Sequence, residues 1–358
     1  MMQNSYDFWK DKKVLVTSAT SFLGAWTSLS LQHLGATVIG VAQESYAGLR
    51  AFEMLNTGQA MALYYGDMRD EIFLANSLNY ASADIVIHLG EMGRLSESDI
   101  DQKVAAETVI LGTLNLMELL RQTASVRSLV VVSSDKVYER SPASSVNEEF
   151  SRIAANEIIP TAKLCSELLA LAYRKNYFHP GKYNKHKVAI ATARIEAGFG
   201  GGDFQENSIF AQAASAFFNQ LPLKIRNPRS HRPWIHVLDQ VSGVLSLAQA
   251  LYIRGPKMAE TYNLGAQSYQ SVFEVMNSFA KLWSAQAKIE TPEEKMAQSP
   301  SNHARLNSEL AKADLFWQPR WNLNESLKQT AEWYKDFYGN ERSENLKRPL
   351  LEYWNFQL

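Results

Sequence analysis

The chain has 358 residues, 46% of them hydrophobic and 20% charged, and its 36 Lys+Arg against 37 Asp+Glu leave a formal net charge of −1. That length buries a large core and, at roughly 100–200 residues per domain, suggests about two domains. The charge balance excludes a strongly basic nucleic-acid binder and an acidic disordered chain, and the single cysteine, Cys165, excludes an intrachain disulfide or a cysteine-built metal site and fits a reducing, cytoplasmic compartment.

In chain order, Lys10, Lys12 and Lys13 precede an apolar stretch in the manner of a signal peptide, but only Val14, Leu15 and Val16 follow before polar residues interrupt. The segment reads as a buried strand. No apolar run approaches the roughly 18–20 residues of a membrane span, so no membrane partner is expected. Strands are predicted at 13–17, 37–41, 61–65, 84–89 and 128–133, continuous and mostly Val- and Ile-rich, as strands covered on both faces are. Helices are predicted between them at 22–34, 71–79 and 104–123, where Val104, Thr108, Leu111, Leu114, Met117 and Leu120 recur at helical spacing. A helix at 160–177 opens on Pro160, and a strand at 187–194 follows. This alternation predicts an α/β fold, a Rossmann-type doubly wound parallel sheet.

Past Gly200 the rhythm changes: Pro222, Pro228 and Pro233 interrupt the chain, and helices are predicted at 239–251, 271–282 and 324–338. The expected organisation is a dinucleotide-binding region over 1–200 to which later segments return, a smaller substrate-binding region over 201–340, and a tail over 341–358. The basic loop 182–187 is too short for a nucleic-acid surface and reads as a solvated turn.

A strand, turn and helix in immediate succession is where a dinucleotide pyrophosphate sits, on the helix N-terminus. The first such turn reads Ser18-Ala19-Thr20-Ser21-Phe22-Leu23-Gly24; with Gly24 its one glycine, it does not establish a cofactor site by itself. Further segments stand out: Gly66-Asp67-Met68-Arg69-Asp70, His88-Leu89, Gly112-Thr113, Ser134-Asp135-Lys136-Val137-Tyr138, and Lys163 with Cys165-Ser166-Glu167-Leu168. Beyond them come Arg194, Gly200-Gly201-Gly202-Asp203, Ile225-Arg226-Asn227-Pro228, Arg232-Pro233-Trp234-Ile235-His236-Val237 and Trp317-Gln318-Pro319-Arg320-Trp321.

With these segments the chain resembles the extended short-chain dehydrogenase/reductase family of nucleotide-sugar enzymes over nearly its whole length, and within it the CDP-glucose 4,6-dehydratases. The resemblance implies NAD as cofactor, a nucleotide sugar (a CDP-hexose) as ligand, and a homodimer built on the helices at 104–123 and 160–177, or a pairing with an active paralogue. In such enzymes hydride leaves C4 of the sugar for NAD, water is lost across C5 and C6, and hydride returns at C6, in the service of deoxysugar and surface-polysaccharide synthesis. By resemblance Ser134 orients the 4-hydroxyl, Asp135 is the acid, Lys136 the base, and Lys163 binds the cofactor ribose and activates a Tyr. The cofactor would lie against Ser18, Thr20, Ser21, Phe22, Leu23, Gly24, Asp67, Met68, Leu89 and Gly90, and the substrate against Arg194, Ala197, Arg226 and Arg232.

The Tyr is missing. Ile159 stands four residues before Lys163, and flanking matches leave no room for a slip in register. Positioned acid–base groups contribute about 10²–10⁴ in rate, so the usual mechanism is expected to be crippled. Ser18 and Ser21 replace glycines of the phosphate turn, Val109 and Ala197 replace two asparagines, and Ser208 replaces an arginine of the family pattern. Losses at cofactor, chemistry and substrate positions beside a preserved scaffold imply lost or altered activity and weakened NAD binding; the alternative is a non-catalytic homologue that binds a nucleotide sugar or a partner protein.

Plainer readings stand beside these. Asp135 and Lys136 fit an ordinary ion pair at a strand end, Lys163 a solvated helix lysine, and Arg232 a carboxylate partner. His236 fits a structural hydrogen bond, and Trp317, Trp321 and Trp333 fit core aromatics. The seven histidines show no metal-ligand spacing, and no strand–Ser–helix elbow surrounds Ser133 or Ser134 to support a serine hydrolase.

Overall fold

Side chains along a strand point alternately to its two faces, and in this chain both faces are apolar. The computed structural model describes residues 5–43, 49–90, 102–139, 145–205, 207–292, 304–339 and 343–355. Its central sheet has seven strands: β1 Lys13–Thr17, β2 Thr37–Ala42, β3 Met61–Tyr65, β4 Ile85–His88, β5 Ser128–Ser134, β6 Ala189–Ile195 and β7 Thr261–Leu264. They are ordered β7-β6-β5-β4-β1-β2-β3, and all neighbours are parallel. Val14, Val16, Ile85, Ile87, Val130 and Val132 face one layer; Leu15, Ile39, Val86, Leu129, Val131 and Ile190 face the other. The first layer is covered by helices α1 Phe22–His33 and α5 Val237–Arg254, the second by α2 Glu71–Ala81, α3 Gln102–Leu120 and α4 Ile158–Asn176. The doubly wound parallel sheet expected from the alternation is the fold observed.

The region beyond Gly200 supplies both α5 and the edge strand β7 to this sheet. β7 escapes sequence reading because Thr-Tyr-Asn-Leu is four residues long and lacks a Val/Ile run. Its Asn263 is buried by bonding, donating to the Asn147 carbonyl at 3.0 Å and accepting from the Tyr138 hydroxyl at 2.8 Å. The remaining strands are short: His231–His236 lies between Ser268–Ser271 and Gly198–Phe199, and Arg305–Leu306 pairs with Val146–Asn147. The loop predicted at 182–187 includes the last residue of a 3-10 turn, Pro180–Lys182, and a short helix, Tyr183–His186. Among the described residues no helix is long and apolar enough to cross a membrane.

The glycine run at 200–202 serves packing. A Cβ on Gly201 would lie 2.1 Å from Cγ of Trp333, a distance no real contact permits, and the Gly201 carbonyl accepts the Trp26 indole N–H at 3.0 Å. Trp26 belongs to α1 and Trp333 to the helix Leu323–Tyr338, so the run is pinned between early and late parts of the chain. The Trp354 indole, donating to Ser30 at 3.2 Å, ties the helix Arg348–Asn355 to α1 as well. One continuous apolar cluster therefore runs from Phe8 to Trp354. Gly201→Ala is expected to destabilise the protein by about 3 kcal/mol in chemical denaturation, because the buried Trp333 indole cannot yield by the distance required.

Candidate active site

The sheet stops and the chemistry starts where β5 ends. After Ser134 the chain tightens into a 3-10 turn, Asp135–Val137, capped by the Ser134 hydroxyl oxygen, which accepts the Lys136 amide at 3.2 Å. The same hydroxyl donates to Asp135 Oδ1 at 3.0 Å, and Lys136 Nζ meets Glu157 Oε2 at 3.0 Å. Glu157 is the N-cap residue of α4, so this half-exposed ion pair joins the turn to the helix that carries Ile159 and Lys163 one turn apart. Ile159 and Lys163 are both half-buried, and Ala197, past the end of β6, is exposed.

Beneath Lys163 runs a buried hydrogen-bonded chain. Thr17 Oγ1 meets His88 Nδ1 at 2.9 Å, His88 Nε2 meets Thr113 Oγ1 at 2.9 Å, and Thr113 donates to Ser166 at 2.9 Å. Burial, with the Lys163 charge adding to it, lowers the His88 pKa to about 4, so the ring is neutral at pH 7. The chain laces β1, β4, α3 and α4 together, which explains why His88, Thr113 and Ser166 accompany the site in the sequence.

The turn between β1 and α1 bends at a serine and packs on a glycine. Ser18 adopts the left-handed conformation at φ 53°, which costs a non-glycine residue about 1–2 kcal/mol. Gly24 is held by close approach, since a Cβ there would lie 2.1 Å from the Ser18 carbonyl oxygen. Ser21 is the N-cap of α1, and its hydroxyl accepts the Gly24 amide at 3.0 Å. Thr20 and Ser21 are buried, as are Phe22 and Leu23. The Leu89 amide donates to Thr17 Oγ1 at 3.1 Å, and Gly90 turns the chain away at φ 55°. Met68 is buried in the second layer of the core, while Asp67 is bound by Arg69 at 2.6 Å, which holds its carboxyl below the usual range. The turn thus presents a left-handed bend at Ser18, a close approach at Gly24 and a helix start at Phe22 and Leu23, where a dinucleotide phosphate would lie. One amide that an anion would take is already bonded to Ser21.

The substrate residues separate. Arg226 and Arg232 are exposed, as anion-binding side chains need to be. Arg194 is placed differently from expectation. It is about 6% exposed in its side chain and grips Glu167 at 2.7 Å, with the Tyr138 hydroxyl at 2.8 Å and the Glu149 carbonyl at 3.0 Å taking its remaining nitrogen. The guanidinium is buried, with all three nitrogens hydrogen-bonded. Ser208 caps the helix Ile209–Phe218, accepting the Ala211 amide, and Val109 is core. His236 caps α5 by accepting the Leu238 amide at 3.2 Å, and Trp317 and Trp333 are core.

One residue was missed by the motif reading. Glu196 immediately follows β6 and is 1% exposed, its oxygens accepting the amides of Ala266 at 2.6 Å and Leu306 at 2.8 Å. Burial, with the charge of Asp135 adding to it, pushes its pKa up to about 8. The available signal was an acidic residue placed directly after the strand Ala189–Ile195. Among the described residues no three His, Cys, Asp or Glu side chains gather as a metal site would require.

Residues 14–265 match the NAD dependent epimerase/dehydratase family. The chain is 31% identical over 337 residues to CDP-glucose 4,6-dehydratase of Salmonella typhimurium, an alignment covering 94% of each protein. Among solved structures, dTDP-glucose 4,6-dehydratase of Bacillus anthracis in complex with NAD superposes with a TM-score of 0.73 at 20% identity, covering 95% of this chain and 99% of that one. UDP-glucuronic acid 4-epimerase of Bacillus cereus in complex with NAD gives a TM-score of 0.74 at 18% identity, covering 92% and 98%.

Proposed function

Because the chain belongs to the NAD dependent epimerase/dehydratase family, we propose that it is a nucleotide-sugar-binding member resembling CDP-glucose 4,6-dehydratase, with its dehydration activity lost or altered. The observation that carries this reading is Ile159. Helix α4 runs unbroken from Ile158 to Asn176, so Ile159 lies on the face of Lys163, one turn before it. In that place an isoleucine can neither take nor give a proton. NAD, when bound, supplies a hydride acceptor and donor. Ser134, at the mouth of β5, would orient a sugar hydroxyl. Asp135 would give a proton to a departing oxygen, and Lys136, which Glu157 holds as an ion pair, is by resemblance the candidate base. Arg226 and Arg232 are the exposed cations suited to a diphosphate.

With CDP-glucose and NAD, formation of a 4-keto-6-deoxy sugar is expected to be at least ~10²-fold slower than for the Salmonella enzyme assayed alongside, and Ile159→Tyr is expected to recover part of that loss. Turnover by the unmodified protein at the rate of that enzyme would sink the proposal.

NAD binding is expected to be weaker than in glycine-containing relatives, since Ser21 adds a side chain at the closest phosphate contact and occupies the Gly24 amide. Calorimetry on the Ser18→Gly, Ser21→Gly double variant should register tighter NAD binding, whereas Ile159→Tyr alone should not. Equal affinity in the glycine pair and the unmodified protein means that the turn tolerates serine.

A second copy of the chain is the partner we propose, docked along α3 and α4. Leu111, Ile158 and Leu168 are exposed there, and Leu111 and Ile158, with Ala106, Ile110, Lys103 and Glu107, line an open groove of about 510 Å³. Light scattering at micromolar concentration is expected to give the mass of a dimer; a monomer removes this partner.

A further inference from the structure

His88 ends β4 between two hydroxyls, Thr17 Oγ1 at its Nδ1 and Thr113 Oγ1 at its Nε2, each 2.9 Å away. A hydroxyl carries one hydrogen, so the other partners of each oxygen fix the direction of its bond to the ring. Thr17 Oγ1 accepts the Leu89 amide at 3.1 Å, and among the described residues the ring is the one acceptor for its hydrogen. Thr17 therefore donates to Nδ1. The Thr113 hydrogen has two acceptors of its own, the Val109 carbonyl at 2.6 Å and Ser166 Oγ at 2.9 Å, which leaves the Thr113 oxygen to accept from Nε2. Ser166 closes the chain on backbone carbonyls, Val109 at 3.2 Å and Ala162 at 3.3 Å. Every hydrogen then points one way, from the Leu89 amide towards α3 and α4. The four side chains are buried together. Lys163 on α4 is the charged group that acts on the ring, while β1 and α3 turn hydroxyls towards it.

We propose that His88, as the neutral Nε2–H tautomer, is the positioning residue that ties the two cofactor-facing turns, at Ser18 and at Leu89–Gly90, to the helix carrying Ile159 and Lys163. The inference rests on the reading of those turns as the cofactor site. Ser18 directly follows Thr17, and Leu89 directly follows His88, so both turns leave the sheet from members of the chain. At its far end Ser166 stands on α4, three residues past Lys163. The opposite tautomer leaves the Thr17 hydrogen without an acceptor and is expected to be at least about tenfold rarer. Protonation does the same harm, because an imidazolium donates from both nitrogens. Bond direction thus opposes the cation together with burial, in keeping with a ring that titrates at about 4. The folded ring is a weaker base than an ordinary histidine, so the stability linked to it is complete above 6.5 and is lost as the pH falls towards about 4.

The test is long-range ¹H–¹⁵N NMR of the histidine rings in the full chain, without substrate or cofactor, joined to hydrogen exchange of the Leu89 amide at neutral pH. The His88 ring is expected to show a protonated Nε2 and a bare Nδ1 at neutral pH, and to lose that pattern at about 4. His88→Phe keeps a ring but neither bond, and its Leu89 amide should exchange at least about tenfold faster than in the unmodified protein. His88→Asn, whose side-chain oxygen can take the Thr17 hydrogen in place of Nδ1, should restore much of that protection. A histidine that merely fills space would show either tautomer and titrate in the ordinary range. That result, a protonated Nδ1, or a Leu89 amide indifferent to His88→Phe overturns the proposal. Should His88→Phe fail to fold, the tautomer of the unmodified protein and the exchange in His88→Asn decide. Neither measurement needs turnover or NAD, so their outcome is independent of the product assay that tests the function.

Discussion

Arg194 and Glu167 meet inside the protein at 2.7 Å, each side chain about 6% exposed, and the site is arranged around that pair. Isolating either charge in such a place costs about 3–5 kcal/mol, so the two are effectively fixed to each other. The candidate residues of α4 and of the turn after β5 lie a short covalent step away. Glu167 is one helical turn past Lys163 and two past Ile159 on α4. Arg194 is two residues before Glu196, and Tyr138, whose hydroxyl Arg194 also holds at 2.8 Å, is two residues after Lys136. A single buried ion pair thereby sets β6, α4 and the 3-10 turn after β5 in relation to one another. It also explains how an arginine can persist here whatever becomes of the ligand.

Two serines that stand where the family resemblance expects a glycine and an arginine, Ser21 and Ser208, are helix caps. Ser21 takes the Gly24 amide and Ser208 the Ala211 amide, each satisfying one of the donors a helix leaves open at its start. A capping serine typically contributes about 1 kcal/mol to its helix. The same bond removes a donor from any anion that approaches, so local stability and phosphate binding draw on the same amide. At Ser18 the balance runs the other way, because a left-handed serine keeps the turn's geometry at a cost in backbone strain. The turn is still held in place by Gly24, whose missing side chain lets α1 press against the Ser18 carbonyl.

The strand positions were legible because a sheet covered on both faces writes itself as short apolar runs. The predicted bounds at 13–17 and 61–65 coincide with β1 and β3, and α1 and α4 differ by one or two residues at an end. Ser134, Asp135 and Lys136 were legible for a related reason: consecutive residues at a strand end share one place whatever the rest of the chain does. The spacing of Ile159 and Lys163 is likewise helix arithmetic. Arg194 and Glu196 were not legible. Nothing local distinguishes an arginine aimed at a phosphate from one aimed at Glu167, 27 residues earlier.

By itself, then, the sequence determined the parallel sheet through its periodicity, while the strand-end triplet, the serine-substituted turn and the missing tyrosine were read from the family resemblance. Tertiary structure alone decided which groups are buried and with whom: Arg194 with Glu167, Glu196 with the amides of Ala266 and Leu306, Gly201 against Trp333. The physical reason is that desolvation and strand register depend on residues distant in the chain. An arginine can end buried, as Arg194 does, or exposed, as Arg232 does, on contacts made by residues far away in the chain.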